Sequence, residues 1–303
     1  MSFPNLVIAG TPKSGTTSLF SWLSEHQNVV HSRVKETYYL MDSESPFFCR
    51  DSNYLSNGLE GYSALFPAYT PDQICIEATP DYMYQATALK VLSSLPTHPI
   101  IVFLLRDPTE RILSLHRFAR NNVGSLNHDM SVSEFVSRLL SGSLNKDEIL
   151  NNALLHGKYH TWLQVWFQEC GRERVKVFFF DDMVNDPLKF MKHFCAEIGI
   201  ASYFYETFNF LPKNRSRQIR SSKLLQLRNS IKRRVPSLVA RAGILKKIFE
   251  VINTSKLDEK TEHCYSDHDI HILRNYYDEP NRKLASLLEK KLPAAWGKPA
   301  EAG

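Results

Sequence analysis

The stretch "GTPKSGTTSL" at residues 10–19 constrains the fold of this chain more than any other. It follows the apolar run "NLVIA" (5–9) and leads into a helical pattern at Ser18–Gln27. A glycine-bounded turn between a buried strand and a helix turns backbone N–H groups outward and makes a ready anion site. Gly10 and Gly15 permit the tight turn, Thr11, Pro12, Ser14 and Ser18 complete it, Thr16 and Thr17 add hydroxyl donors, and Lys13 adds a mobile positive charge. A triphosphate-binding loop of the form G-x-x-x-x-G-K-[ST] carries its lysine directly after the second glycine. Thr16 stands there instead. The stretch therefore predicts a phosphate-gripping loop that lacks the main lysine of a Mg²⁺-triphosphate site.

Three more apolar runs, "ICIEA" (74–78), "IIVFLL" (100–105) and "VKVFFF" (175–180), are nearly continuous, as in parallel strands covered on both faces. Helical patterns lie between and after them, at about Pro108–Asn121, Ser131–Leu140, Tyr159–Glu169 and Pro187–Ile198. The last is opened by Asp186 as N-cap, with proline at the first helical position. Strand alternating with helix predicts an α/β fold. The expectation is a single domain over 1–296 with a central parallel sheet, helices on both faces, the character of a P-loop NTPase and a mostly helical C-terminal part. A frayed tail is expected at 297–303. Residues 41–73, rich in Ser, Pro, Asp and Tyr, predict a long excursion over the C-terminal edge of the sheet, where such folds bind ligands.

The 303 residues include no run of ~18 apolar residues, the length of a membrane span. With no basic leader either, a soluble, cytoplasmic protein is expected. Five scattered cysteines (Cys49, Cys75, Cys170, Cys195, Cys264) have no metal-binding spacing and predict reduced thiols. The net charge of +5 is segregated: Lys213–Phe249 holds 12 Lys or Arg and no Asp or Glu, while the remainder is net acidic. That segment reads as two helices broken near Val235-Pro236, either a solvated basic face or a cover over an anionic partner.

A second constellation is "LLRDPTERILSLHRFAR" (104–120). The strand at 100–105 delivers Arg106 to its end, Pro108 opens a helix, and Ser114 lies on that helix. A guanidinium fork and a hydroxyl suit a second, separate phosphate.

The two motifs together resemble those of sulfotransferases that use 3′-phosphoadenosine-5′-phosphosulfate (PAPS), in the heparan-sulfate-type and bacterial branch. "GTPKSGTTSL" is similar to the family's 5′-phosphosulfate loop and "LRDPTERILSLHRFAR" to its 3′-phosphate motif. "VKETYYL" (34–40) resembles a stretch whose glutamate is the catalytic base, a role that falls on Glu36. "IEATPDYM" (76–83) is similar to a Glu-Lys-Ser/Thr-Pro-x-Tyr stretch, with Ala78 in place of the lysine, which makes a polyanionic sugar acceptor less expected. "GKYHTWLQVWFQ" (157–168), "VFFFDDM" and "LRNYYDEPNRKLASLLEKKLPAAW" also resemble the family. "NRSRQIRSSKL" (214–224) is similar to a late loop that closes over the donor, which implies donor contacts from Arg220 and Ser221 and from the leading edge of the basic segment.

The resemblance implies PAPS as cofactor, PAP as its product, no required metal, and a hydroxyl or amine of a small natural product or carbohydrate as acceptor. No nucleic-acid or membrane partner is expected. Lys13 would stabilise the leaving 5′-phosphate and Glu36 would take the acceptor proton, with His116 as rival base. Tyr38, Tyr39, Tyr82, Met83 and Tyr84 flank the motifs as candidate acceptor-pocket residues, and Asp42 and Asp81 would suit a cationic or polyhydroxyl acceptor. Two other readings stand beside this one. In a P-loop kinase, Asp181 and Asp182 would hold Mg²⁺ at the end of "VKVFFFDD". The other is a non-catalytic nucleotide-binding protein that docks an anion through its basic segment.

Overall fold

Each apolar run becomes a strand of one parallel sheet in the computed structural model, which describes residues 1–123, 125–127, 130–144, 149–211, 217–219, 254–256 and 265–297. The strands are Leu6–Gly10 (β1), Val29–His31 (β2), Ile74–Ala78 (β3), Ile100–Leu105 (β4) and Val175–Phe179 (β5). Their order is β2-β3-β1-β4-β5 and every pairing is parallel. The continuous apolar character follows from this arrangement, because alternate residues of each strand feed two separate cores. Val7, Ala9, Ile101, Phe103 and Leu105 face one core with Leu163, Trp166 and Cys170 of helix α6 (Tyr159–Cys170) and Val91 and Leu92 of α3 (Ala86–Ser94). Leu6, Ile8, Val102 and Leu104 face the other. There they meet Leu19 and Leu23 of α1 (Thr16–Ser24) and Phe190, Phe194 and Ile198 of α8 (Pro187–Ile198). The expected sheet covered by helices on both faces is the one observed.

Several boundaries differ from expectation for local reasons. The strand at 175 stops at Phe179, because Phe180 already opens α7 (Phe180–Asn185). Helix α1 starts at Thr16, as soon as the glycine turn ends. Helix α8 keeps its predicted bounds, and the Asp186 side chain accepts from the Lys189 amide at 3.0 Å. The excursion at 41–73 contains a helix, α2 (Tyr54–Ser63), capped by Asn53 and interrupted at Gly58, whose φ of 56° falls in the left-handed region. Strand β2, helix α2 and helix α3 were absent from the sequence expectation. Among the described residues no helix is long and apolar enough to cross a membrane.

The chain gathers into two compact units. The first comprises Met1–Asp107, Lys158–Asn214 and Pro280–Trp296 and contains the sheet. The second comprises Pro108–Gly157, Arg215–Glu279 and Gly297–Gly303. In the second, α4 (Pro108–Phe118), α5 (Val132–Leu140) and the N-terminal part of α9 (Asp267–Leu288) share a core of Ile112, Leu113, Phe135, Leu139, Leu273 and Tyr277. Arg217–Ile219 (β6) and Thr254–Lys256 (β7) form an antiparallel pair there, so Arg217 lies in a strand and not in the expected helix. The rest of the basic segment, including Arg220 and Ser221, lies outside the described residues, as do Cys264 and the tail beyond Gly297.

Two histidines of the second unit give it an acid sensitivity. His116 is 2% exposed and packs on Phe135 with ring centroids 4.6 Å apart. Neither of its ring nitrogens has a hydrogen-bond partner among the described residues. Burial, aided by the charges of Arg120 and Arg117, pushes it down to about 4. Burial and the charge of Arg111 push His156 down to about 3. Below pH ~6.5 the unfolded chain therefore binds more protons than the native one. Stability should fall from there toward pH 4 with a slope approaching ~1.4 kcal/mol per pH unit for each histidine. Urea denaturation of the wild type and His116→Phe at pH 7 and pH 5 checks this, and the variant should show the shallower loss.

Candidate active site

In a parallel sheet the segments that follow each strand emerge on one edge, and here those segments carry candidate site residues. Residues 11–15 follow β1, 32–40 follow β2, 79–84 follow β3, Arg106 follows β4 and Phe180 follows β5.

The loop after β1 is braced from inside. The Thr11 amide donates to the Leu104 carbonyl at 3.0 Å, and the Thr11 and Ser14 hydroxyls lie 2.6 Å apart. Thr11, Ser14, Thr16 and Ser18 are buried, so they shape the turn, while Pro12, Lys13, Gly15 and Thr17 are half-buried. Lys13 and Gly15 have φ of 72° and 84°. Gly15 is the N-cap of α1, and no side chain caps that helix. The first N–H groups of a helix lack intrahelical partners, and an uncapped first turn beside a cationic loop is suited to an anion.

Gly15 is fixed by space as well as by φ. A Cβ there would lie 2.6 Å from Met183 Cε and 2.7 Å from Phe180 Cε2. Gly15→Ala should therefore reshape the loop, lowering affinity for adenosine 3′,5′-bisphosphate about tenfold and costing roughly 1–3 kcal/mol of stability. Calorimetric titration together with thermal denaturation measures both.

Arg106 lies over the Phe180 ring at 4.9 Å, and its Nη1 donates to the Lys13 carbonyl at 3.4 Å. Its own carbonyl accepts from the Tyr159 hydroxyl at 2.8 Å. Tyr159, Phe180 and Met183 thus support the loop. They lie in stretches already noted as family-like, but nothing in the sequence singled them out. Ser114 lies on α4 in the second unit, half-buried. His116 is in that unit's core, a placement that gives it a packing role.

Glu36 is 35% exposed at its side chain. Lys35 Nζ pairs with its Oε1, and the Tyr38 hydroxyl donates to its Oε2 at 2.5 Å. Glu36 thus holds an ion pair on one oxygen and a phenol on the other. Burial first, and the Glu36 charge second, hold the Tyr38 phenol far above its ordinary range. Tyr38 stacks on Phe47 with centroids 5.1 Å apart, and Tyr84 meets Trp162 edge-on at 5.2 Å. These four aromatics and Asp81 are half-buried. Tyr39 and Tyr82 are not. Tyr39 is buried and donates to the Gly58 carbonyl at 2.9 Å, and Tyr82 is buried and donates to Glu77 at 2.8 Å. Asp42 caps α3, accepting from the Ala86 and Thr87 amides at 2.9 and 2.8 Å. Asp181, a metal ligand in the kinase reading, accepts from Trp296 Nε1 at 3.0 Å.

A parallel sheet with a glycine-hinged loop between its central strand and the first helix defines a P-loop-like α/β protein. The chain belongs to the sulfotransferase family: the family description "Sulfotransferase domain" matches residues 3–234. It is 33% identical over 122 residues to the membrane-associated sulfotransferase kil1 of Dictyostelium discoideum, covering 39% of this chain and 24% of that protein. It is 24% identical over 210 residues to the bifunctional heparan sulfate N-deacetylase/N-sulfotransferase 1 of Caenorhabditis briggsae, covering 68% of this chain and 24% of that protein. The chain thus spans about a quarter of the length of these relatives. A sulfotransferase from Alicyclobacillus acidocaldarius shares the fold with a TM-score of 0.65 at 18% identity, covering 98% of this chain and all of that one. Family membership supports group transfer as the class of reaction.

Proposed function

We propose that this chain moves a sulfuryl group from PAPS to a hydroxyl or amine of a small-molecule or carbohydrate acceptor, as one sulfotransferase domain over residues 1–296. The observation that carries this reading is the loop at 10–18: an uncapped helix start at a left-handed glycine, internally braced, with Lys13 at its rim and Arg106 over Phe180 beside it. Such a turn fits a phosphosulfate, and the Arg106 guanidinium suits a separate 3′-phosphate, a site that Ser114 joins on the strength of its motif alone. Arg220 and Ser221 join the donor site on the strength of their motif alone.

PAPS supplies a sulfuryl group on a phosphate leaving group. The amides at the start of α1 and the hydroxyl of Thr17 hold the anion, and Lys13 sets a positive charge where negative charge grows as the bond to the leaving oxygen breaks. Glu36 takes the acceptor proton. Lys35 pairs with one oxygen of its carboxylate, and the Tyr38 phenol occupies the other, to which an acceptor O–H or N–H would donate. The half-buried Tyr38–Phe47 stack beside this oxygen favours an acceptor with an apolar face. Sulfuryl transfer here needs no metal in its stoichiometry.

The test is a PAPS-dependent screen of phenols, aliphatic alcohols, amines and oligosaccharides, read by mass spectrometry for the gain of one SO₃. Inhibition by adenosine 3′,5′-bisphosphate is expected. Transfer from ATP with loss of turnover in EDTA would replace this reading with the kinase one.

A further inference from the structure

Glu77 is a carboxyl inside an apolar strand, the fourth residue of β3, and it is fully buried. Burying a carboxylate is expensive unless every lone pair is met. Here four hydroxyls converge on it. Thr37 Oγ1 and the Tyr62 hydroxyl donate to its two oxygens, and the Tyr82 and Thr79 hydroxyls donate to Oε1 at 2.8 and 3.1 Å. Burial raises its proton affinity, and the four donors oppose that rise.

A hydroxyl that donates to a carboxylate has only lone pairs left to offer outward. Those lone pairs are used. Thr79 Oγ1 accepts from the Thr37 amide at 3.1 Å, the Tyr82 hydroxyl from the Leu40 amide at 3.2 Å, and Thr37 Oγ1 from the Tyr39 amide at 3.3 Å. Residues 32–40 contain no helix or strand, so these bonds take the place of a backbone ladder. The three anchored amides bracket Tyr38, whose φ of 51° is an uncommon backbone state that its surroundings must hold.

We infer that Glu77 is a positioning residue: its carboxylate polarises the Thr37, Thr79 and Tyr82 hydroxyls so that they pin the backbone at 37, 39 and 40. It thereby sets the direction in which Glu36 and Tyr38 present their polar atoms. The inference rests on the proposed role of Glu36 as base.

Two variants probe the network without changing its shape. Glu77→Gln replaces one acceptor by an NH₂ donor. With its oxygen kept toward Thr37, Thr79 and Tyr82, the NH₂ meets Tyr62, whose hydroxyl must then accept, and the other three hydroxyls exchange a charged acceptor for a neutral one. Thr37→Val keeps the volume and removes the hydroxyl, while Thr37→Ser restores it. Amide hydrogen exchange by NMR should quicken about tenfold or more at Tyr39 and Leu40 in Glu77→Gln, and at Tyr39 in Thr37→Val, with Val7 and Ile8 of β1 unchanged. With the acceptor found in the screen, kcat should fall about tenfold or more in both, and KM for PAPS should stay within about twofold. Thr37→Ser should return both readouts close to wild type. Unchanged exchange at Tyr39 in both variants overturns the inference. So does quickened exchange with wild-type kcat, or a loss confined to KM. Glu36→Gln, assayed alongside, separates the two ideas: wild-type turnover there removes the base, while exchange at Tyr39 and Leu40 still judges the network.

Discussion

Glu36→Gln is expected to lower kcat by ~10²-fold or more and to leave affinity for adenosine 3′,5′-bisphosphate nearly unchanged. The substitution keeps the shape of the side chain and can still accept from Tyr38. It removes the negative charge that pairs with Lys35 and the basicity that would draw off the acceptor's proton. A residue that only held the loop in place would show its loss in KM or in stability, because Glu36 is a third exposed and its ion pair with Lys35 is of a kind worth little to folding. A residue that accepts a proton in the transition state shows its loss in kcat. Turnover within about threefold of wild type would pass the proton to water. His116 is no ready substitute, since it is buried against Phe135 and held neutral down to about pH 4 by that burial. Tyr38→Phe sharpens the result, because it frees Glu36 Oε2 without touching the base.

What the sequence revealed divides along physical lines. The strands were legible because runs such as "IIVFLL" are apolar at every position, which only a sheet covered on both sides requires. The loop was legible because glycines at 10 and 15 bound a short polar turn after such a run. Helix α2 was hidden: Ser, Asn and two glycines dilute its pattern, and it is broken at Gly58. Strand β2 is three residues long, too short for any periodicity. At the candidate site, Tyr39 and Tyr82 read as pocket aromatics because composition cannot tell a phenol facing a ligand from one satisfied in the core. The sequence carries a signal for Glu77. An acidic residue inside "ICIEA" must be paid for by nearby donors, and Thr37, Thr79 and Tyr82 were all within motifs already in view. Phe180, Met183 and Tyr159 carried no such signal, since their contacts with Gly15 and Arg106 depend on where β5 and α6 lie.

Arg106→Ala is expected to weaken binding of adenosine 3′,5′-bisphosphate by roughly 1.5–3 kcal/mol, about 10- to 150-fold, and to change binding of adenosine 5′-monophosphate hardly at all. The contrast between the two ligands matters because Arg106 has two possible employments. In the first it grips the 3′-phosphate with its guanidinium fork, the role its motif implies. In the second it is a brace for the 5′ loop, since its Nη1 reaches the Lys13 carbonyl and its plane lies over Phe180. The brace is the weaker of the two physically. Its hydrogen bond is 3.4 Å long and neutral at the acceptor, whereas a guanidinium–phosphate pair is charged on both sides and commonly bidentate. A grip on the 3′-phosphate is lost only by the ligand that carries that group. A brace acts on the loop that holds the 5′ end, so its loss falls on both ligands equally. Arg106→Lys refines the test, because an ammonium keeps the charge but gives up the fork and the planar contact with Phe180. Under the grip reading it should recover only part of the bisphosphate affinity and leave the monophosphate where it was. Equal losses for both ligands in Arg106→Ala would move Arg106 from the donor's 3′ end to the architecture of the loop, and a different residue would then have to meet the second phosphate.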